Sequence, residues 1–121
     1  MTRILFVDDD PFTLETLTRA VEVFGHQAIL ANTGREALRM ASAEKPDLIF
    51  VDMHLDDMNG LDVVRSLRED PSTLKVPIFV LSADPEGETS QKAKAAGARD
   101  YLNKPIRLQT LLDLIQENSS Q

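Results

Sequence analysis

The chain has 121 residues, about the size of one domain, and 42% of them are hydrophobic. A chain of this size buries roughly two thirds of its unfolded surface. Its 20 acidic and 13 basic side chains leave a net charge of −7, which argues against direct contact with DNA or RNA, because nucleic-acid binders present basic patches. There is no Cys, so disulfides and thiolate metal sites are excluded. No signal-peptide pattern opens the chain and no apolar run approaches the roughly 18 residues of a membrane span, so the expected location is the cytoplasm.

Residues 4–7 form a short continuous apolar run, as in a strand buried on both faces. Asp10-Pro11 then opens a helix, with Asp10 as N-cap and Pro11 in the first turn. Leu14, Leu17, Val21 and Phe24 recur at helical spacing, and Gly25 is the stop. Residues 27–31 read as a weak second strand. Thr33-Gly34-Arg35-Glu36 matches a capping box, followed by Ala37, Leu38 and Ala41 on one face. Residues 48–51 are the most strand-like of all. Asn59 caps a third helix carrying Leu61, Val64 and Leu67, and Asp70-Pro71-Ser72 closes it.

Residues 76–81 predict a fourth strand, and Asp84-Pro85 a cap with a first-turn proline. The helix that follows is Ala-rich, with Ala93 and Ala96 as its buried positions. Residues 100–103 read as a fifth strand. The last helix carries Leu108, Leu111, Leu112 and Ile115 on one stripe, and residues 118–121 form a polar end expected to fray. Five strand–helix repeats imply one α/β domain over residues 1–121, with a parallel sheet covered by helices on both faces. Ligands of such sheets bind beyond the carboxyl ends of the strands.

Residues suited to phosphate chemistry fall at those ends: Asp8, Asp9 and Asp10 after the first strand, Asp52 after the third, Ser82 after the fourth and Lys104 after the fifth. Carboxylates with a backbone carbonyl and waters suit a hard cation such as Mg²⁺. Asp52 can act as a nucleophile that accepts a phosphoryl group as an acyl phosphate, with the Lys104 ammonium and the Ser82 hydroxyl stabilising charge on the phosphoryl oxygens. Taken singly, each residue has an ordinary structural use as helix cap, loop hydroxyl or surface lysine. Their joint placement is what points to a site.

The segments ILFVDDDP, DLIFVDMHLDDMNG, VPIFVLSAD and GARDYLNKPI, in this order and spacing, resemble a receiver domain of the two-component response regulators, the CheY-like superfamily, over essentially the whole chain. The resemblance implies a doubly wound, five-stranded flavodoxin-like fold with strand order 2-1-3-4-5. It implies Asp52 as phosphoacceptor and Asp8, Asp9, Asp52 and the His54 backbone carbonyl as Mg²⁺ ligands. Ser82 and Lys104 align with the phosphate-binding pair, Tyr101 with the switch aromatic, and the Lys104–Pro105 peptide is expected to be cis. Asp10 is then better read as a helix cap than as a third ligand. Tyr101 has a plain alternative, a half-buried strand aromatic with its hydroxyl in water.

The implied function is a signalling switch rather than an enzyme, with at most slow Mg²⁺-dependent self-phosphorylation and autodephosphorylation. The phosphodonor is a sensor histidine kinase or a histidine phosphotransfer protein. The responding surface is the face of the fourth helix, fifth strand and fifth helix. That face meets an effector protein or a fused output domain, and a phosphorylation-dependent homodimer is compatible with it. The chain is expected to be a stand-alone receiver or the excised receiver of a longer regulator. Asp56 stands where the family commonly has Pro, which predicts a looser loop with Asp56 and Asp57 in solvent, and Asn59 replaces an Asp. His54 and Asp84 occupy positions that influence phosphoryl lifetime, with His54 expected to be exposed. Two other readings compete: a small Mg²⁺-dependent aspartyl phosphatase, which would want Asp rather than His54 two residues past the nucleophile, and an adaptor with a vestigial site.

Overall fold

A computed structural model describes residues 2–84 and 87–118. Strand β1 (Arg3–Val7) pairs in parallel with β2 (Gln27–Ala31) on one side and β3 (Leu48–Asp52) on the other. β3 pairs with β4 (Ile78–Ser82), and β4 with β5 (Asp100–Asn103), giving the order β2-β1-β3-β4-β5. Every residue of β3 and β4 is buried. Their uninterrupted apolar sequence follows, because a parallel strand covered on both faces has no water-facing side.

The two faces divide the core by strict alternation along the strands. Leu5, Val7, Ile49, Val51, Ile78 and Val80 face α2 (Gly34–Glu44), α3 (Gly60–Glu69) and α4 (Glu88–Ala96), which contribute Ala37, Ala41, Leu61, Val63, Val64, Leu67 and Ala93. Ile4, Phe6, Leu48, Phe50, Phe79 and Leu81 face α1 (Pro11–Glu22) and α5 (Leu108–Asn118), which contribute Leu14, Leu17, Val21, Leu111 and Ile115. On that second face Phe50 stacks between Phe6 and Phe79, with ring centroids 5.6 and 5.2 Å away.

Several local expectations shift. α1 stops at Glu22, so Phe24 lies beyond it, half exposed, in the turn completed by Gly25 at φ +85°. β4 starts at Ile78 rather than residue 76, because Pro77 has no N–H for the ladder and offers only its carbonyl, to Ile49 N–H at 3.0 Å. On α5, Leu108 is exposed and the buried stripe is Leu111 and Ile115, with Leu114 packed beside them. Ala96 is only partly buried, unlike Ala93. α4 begins at Glu88 with Gly87 at its cap, so Asp84 does not cap it; the proposed first-turn Pro85 lies outside the described residues, as do 119–121 of the expected frayed end. The Thr33 cap of α2 is present: Thr33 Oγ1 accepts from Glu36 N–H at 3.1 Å, while Glu36 Oε1 reaches back to Asn32 N–H at 3.0 Å, one residue before the cap.

Arg68 stitches α3 to its surroundings. Its guanidinium donates to the carbonyls of Gly97 (2.9 Å), Leu74 (2.8 Å) and Val76 (2.8 Å). Among the described residues no helix is long and apolar enough to cross a membrane.

Replacing Phe50 by Ala removes the middle ring of the three-ring stack from a fully buried position. The expected cost is about 3–5 kcal/mol, read as a lower urea midpoint with an unchanged slope.

Candidate functional site

The register sets the site. Val7 of β1 lies opposite Val51 of β3, so the chain leaves these neighbouring strands with Asp8 and Asp52 side by side. This is the point where strand order reverses, the usual ligand crevice of a doubly wound sheet. On the other flank Ser82 pairs with Asn103, and Lys104 N–H donates to the Ser82 carbonyl at 2.8 Å, so the lysine leaves β5 at the same edge. The Lys104–Pro105 peptide is cis.

Oxygen atoms of Asp8, Asp9 and Asp52 lie within 4.8 Å of one another. Asp8 is 3% exposed and tightly held: its Oδ1 accepts from Asp10 N–H at 2.9 Å and its Oδ2 from Lys104 Nζ at 2.7 Å. Asp52 is 7% exposed and held by longer contacts, 3.4 Å from His54 N–H and 3.4 Å from Lys104 Nζ. Asp10 stays out of the cluster and caps α1, accepting from Phe12 N–H at 3.1 Å and Thr13 Oγ1 at 2.8 Å. Those two hydrogen bonds hold its carboxyl below the usual value.

The charges constrain one another. Burial pushes the Asp52 carboxyl above its ordinary pKa; Lys104 pulls it back, and the Asp8 charge pushes it up again. Asp9 is also raised, by desolvation first and then by the nearby Asp56, which is exposed as expected and adds negative charge near the site. For Lys104, burial disfavours the ammonium, but the Asp8 and Asp52 carboxylates outweigh it and raise the pKa.

α3 begins against the end of β3. Gly60 N–H donates to the Met53 carbonyl at 2.7 Å, and a Cβ at residue 60 would come within 2.4 Å of the Asp52 carbonyl oxygen. Only glycine lets the helix start so close to the strand bearing Asp52. Asn59 caps it, accepting from Leu61 N–H at 2.7 Å. The loop in between is not loose, despite the missing proline. The Asp57 carboxylate accepts from Gly34 N–H at 2.7 Å and Arg35 N–H at 3.0 Å, at the N-terminus of α2, and those bonds lower its pKa. A carboxylate is well placed at the positive end of a helix.

The remaining sequence-predicted residues stand one layer away. Ser82 is fully buried, and its Oγ accepts from Asp84 N–H at 3.0 Å. Tyr101 is 3% exposed and its hydroxyl donates to the Asp84 carbonyl at 3.0 Å, so it is not a half-buried ring with its hydroxyl in water. His54 is exposed, and its Nε2 lies 2.7 Å from Asp84 Oδ2. Sequence reasoning missed the roles of Asp57 and Asp84. Asp57 reads in the sequence only as a solvent-facing acid, and Asp84 as a helix cap at a position that influences phosphoryl lifetime, because their partners are 22 to 30 positions away.

The family model of the response regulator receiver domain matches residues 4–116. The chain belongs to that family. This receiver domain is 36% identical to protein PilH of Pseudomonas aeruginosa over 115 residues, 95% of each chain. It is 40% identical to the transcriptional regulatory protein KdpE of Mycobacterium tuberculosis over 112 residues, 93% of this chain and 48% of that protein, so it spans about half of KdpE. Its fold superposes on the chemotaxis protein CheY4 of Vibrio cholerae with a TM-score of 0.91, 30% identity and 98% coverage of both chains. The fold is therefore flavodoxin-like in the CheY manner, and the domain is a signalling domain rather than an enzyme in the ordinary sense.

The opposite shifts of Asp52 and Asp57 give opposite pH signatures. A raised folded pKa means that Asp52 loses its proton later in the folded chain, so its ionisation erodes stability as pH climbs from the unfolded value near 3.8 through the folded one. Asp52→Asn should raise the melting temperature at pH 7 without divalent cation, with the gain shrinking as pH falls through that window. The lowered pKa of Asp57 gives stability that is present above 3.8 and lost as pH falls through its folded value. Asp57→Ala should lower the melting temperature at pH 7, and the deficit should vanish in acid; thermal denaturation across pH checks both.

Proposed function

We propose that this receiver domain, spanning residues 1–121, is a phosphorylation-controlled switch in which Asp52 accepts a phosphoryl group from a phosphohistidine of a sensor histidine kinase or histidine phosphotransfer protein. The observation that carries this reading is the contrast between the two buried carboxylates at the strand ends. Asp8 is bound at 2.9 and 2.7 Å, whereas the Asp52 contacts are both 3.4 Å long. Weakly held oxygens beside an ammonium are the better nucleophile. One Asp52 oxygen bonds to phosphorus as the P–N bond to the donor imidazole breaks, and the electron pair leaves on the ring nitrogen, which takes up a proton.

Asp8, Asp9 and Asp52, with the His54 backbone carbonyl, are the residues that would hold Mg²⁺. Bound there, the ion supplies positive charge that offsets the acid cluster and the phosphoryl oxygens. Lys104 can turn from Asp8 and Asp52 to pair with a phosphoryl oxygen. The Ser82 oxygen accepts from Asp84 N–H, which leaves its own proton to donate to the phosphoryl group. Rearrangement of Ser82 and Tyr101 then alters the α4, β5 and α5 face, where an effector protein, a fused output domain or a second copy binds. Relatives of both sizes fit this reading: PilH is matched along 95% of its length and KdpE along 48%. The proposed setting is the cytoplasm.

The test is incubation with Mg²⁺ and a small acyl phosphate, followed by intact mass. One phosphoryl adduct is expected on the wild type and none on Asp52→Asn or in excess chelator. No adduct on the wild type, or one that persists in Asp52→Asn, would overturn the reading.

A further inference from the structure

Asp84 sits where four hydrogen bonds meet. Its N–H donates to Ser82 Oγ at 3.0 Å, and its carbonyl accepts from the Tyr101 hydroxyl and from Asn103 Nδ2, each at 3.0 Å. Its carboxylate takes the fourth, from His54 Nε2 at 2.7 Å. Three of these bonds use the Asp84 backbone, so their geometry depends on where its main chain is held. The fourth is the one made by its side chain, and it reaches to the loop that leaves Asp52, two residues past that aspartate.

A surface pair of this kind adds little to global stability: the two side chains are 65% and 44% exposed. Its effect is one of place. The loop after β3 is already fixed on its far flank, where Asp57 binds the N-terminus of α2. His54 is thus a post set in an anchored loop, and the bond to Asp84 ties to it the main chain that contacts both Ser82 and Tyr101. Even a weak bond shifts a nearly balanced two-state ring several-fold, provided it exists in one state and not in the other.

We propose that the His54–Asp84 bond is a clasp between the loops that follow β3 and β4, beside Asp52, that positions the Ser82 hydroxyl and holds Tyr101 inward. His54 and Asp84 are then positioning residues for the switch, a role that rests on Asp52 being the phosphoacceptor. In this arrangement His54 acts on the phosphoryl site through Asp84, not by touching the attacking water.

The chain contains one tyrosine and no tryptophan, so its tyrosine emission reports Tyr101 alone. In the full chain, His54→Ala and Asp84→Ala should each raise the acrylamide quenching constant of that emission at least twofold, and the double variant should go no higher than either single one. His54→Gln, which keeps an amide N–H near the position of Nε2, should restore the wild-type value. Adduct decay after acyl phosphate treatment should change in His54→Ala together with the quenching. Unchanged quenching in both alanine variants, or an additive rise in the double variant, would overturn the clasp. So would altered decay with unchanged quenching, which would assign His54 to the water itself. The quenching needs no phosphate: a missing adduct on the wild type defeats the phosphoacceptor reading, whereas unchanged quenching defeats the clasp and leaves that reading intact.

Discussion

Like charges held together at the edge of a sheet are the constraint around which this domain is built. The parallel register of β1 and β3 brings Asp8 and Asp52 out side by side, and Asp9 adds a third carboxylate. In water these groups would separate. Here the strands are buried in two packed layers and have no freedom to do so. Lys104 relieves the repulsion from the far side of the site, reaching Asp8 at 2.7 Å and Asp52 at 3.4 Å. The Asp52 carboxyl remains raised all the same, first because it is buried and only then because of the Asp8 charge. A site with surplus negative charge and a loosely held carboxylate is primed for a cation and a group that it can share with the lysine.

Around that cluster the sequence spends its special residues on holding the strand ends in place. Gly60 lets α3 abut Asp52, and Asn59 caps the helix at the same point. Asp10 is drawn out of the cluster by its own helix, which leaves Asp8 to accept from its N–H. Ser82 and Tyr101 do not touch each other in the hydrogen-bond pattern, yet both bind the main chain of Asp84. The main chain of Asp84 thus links the two residues, with Ser82 bonded to its N–H and Tyr101 to its carbonyl.

How legible all this was in the sequence depended on distance along the chain. Strands buried on both faces announce themselves as continuous apolar runs, so β3 and β4 were readable, with the start of β4 displaced by Pro77. Local caps were readable for the same reason: Asp10, Thr33 and Asn59 each bond within three residues. The cluster Asp8, Asp9, Asp52 and Lys104 was readable because strand ends converge in this topology. What pattern could not show were partnerships between loops. Asp57 reaches back to Gly34, and His54 forward to Asp84, with no periodicity to mark either. Local propensity misled at Asp84-Pro85, where a cap followed by a proline suggested a helix start three residues too early. It misled again at the loop holding Asp56, where the missing proline hid the anchoring of Asp57.

That anchoring gives the domain a direction. On one side of the pocket the segment after Asp52 is bolted to a helix that packs into the core through Gly34, Ala37 and Ala41. On the other, among the described residues, it meets Asp84 through an exposed side-chain bond from His54. The two flanks of that segment are therefore held unequally, by two backbone N–H bonds to the Asp57 carboxylate on one side and by an exposed side-chain pair on the other. In the proposed switch, the less firmly tied side of that segment is the one next to Asp84, whose carbonyl accepts from the Tyr101 hydroxyl.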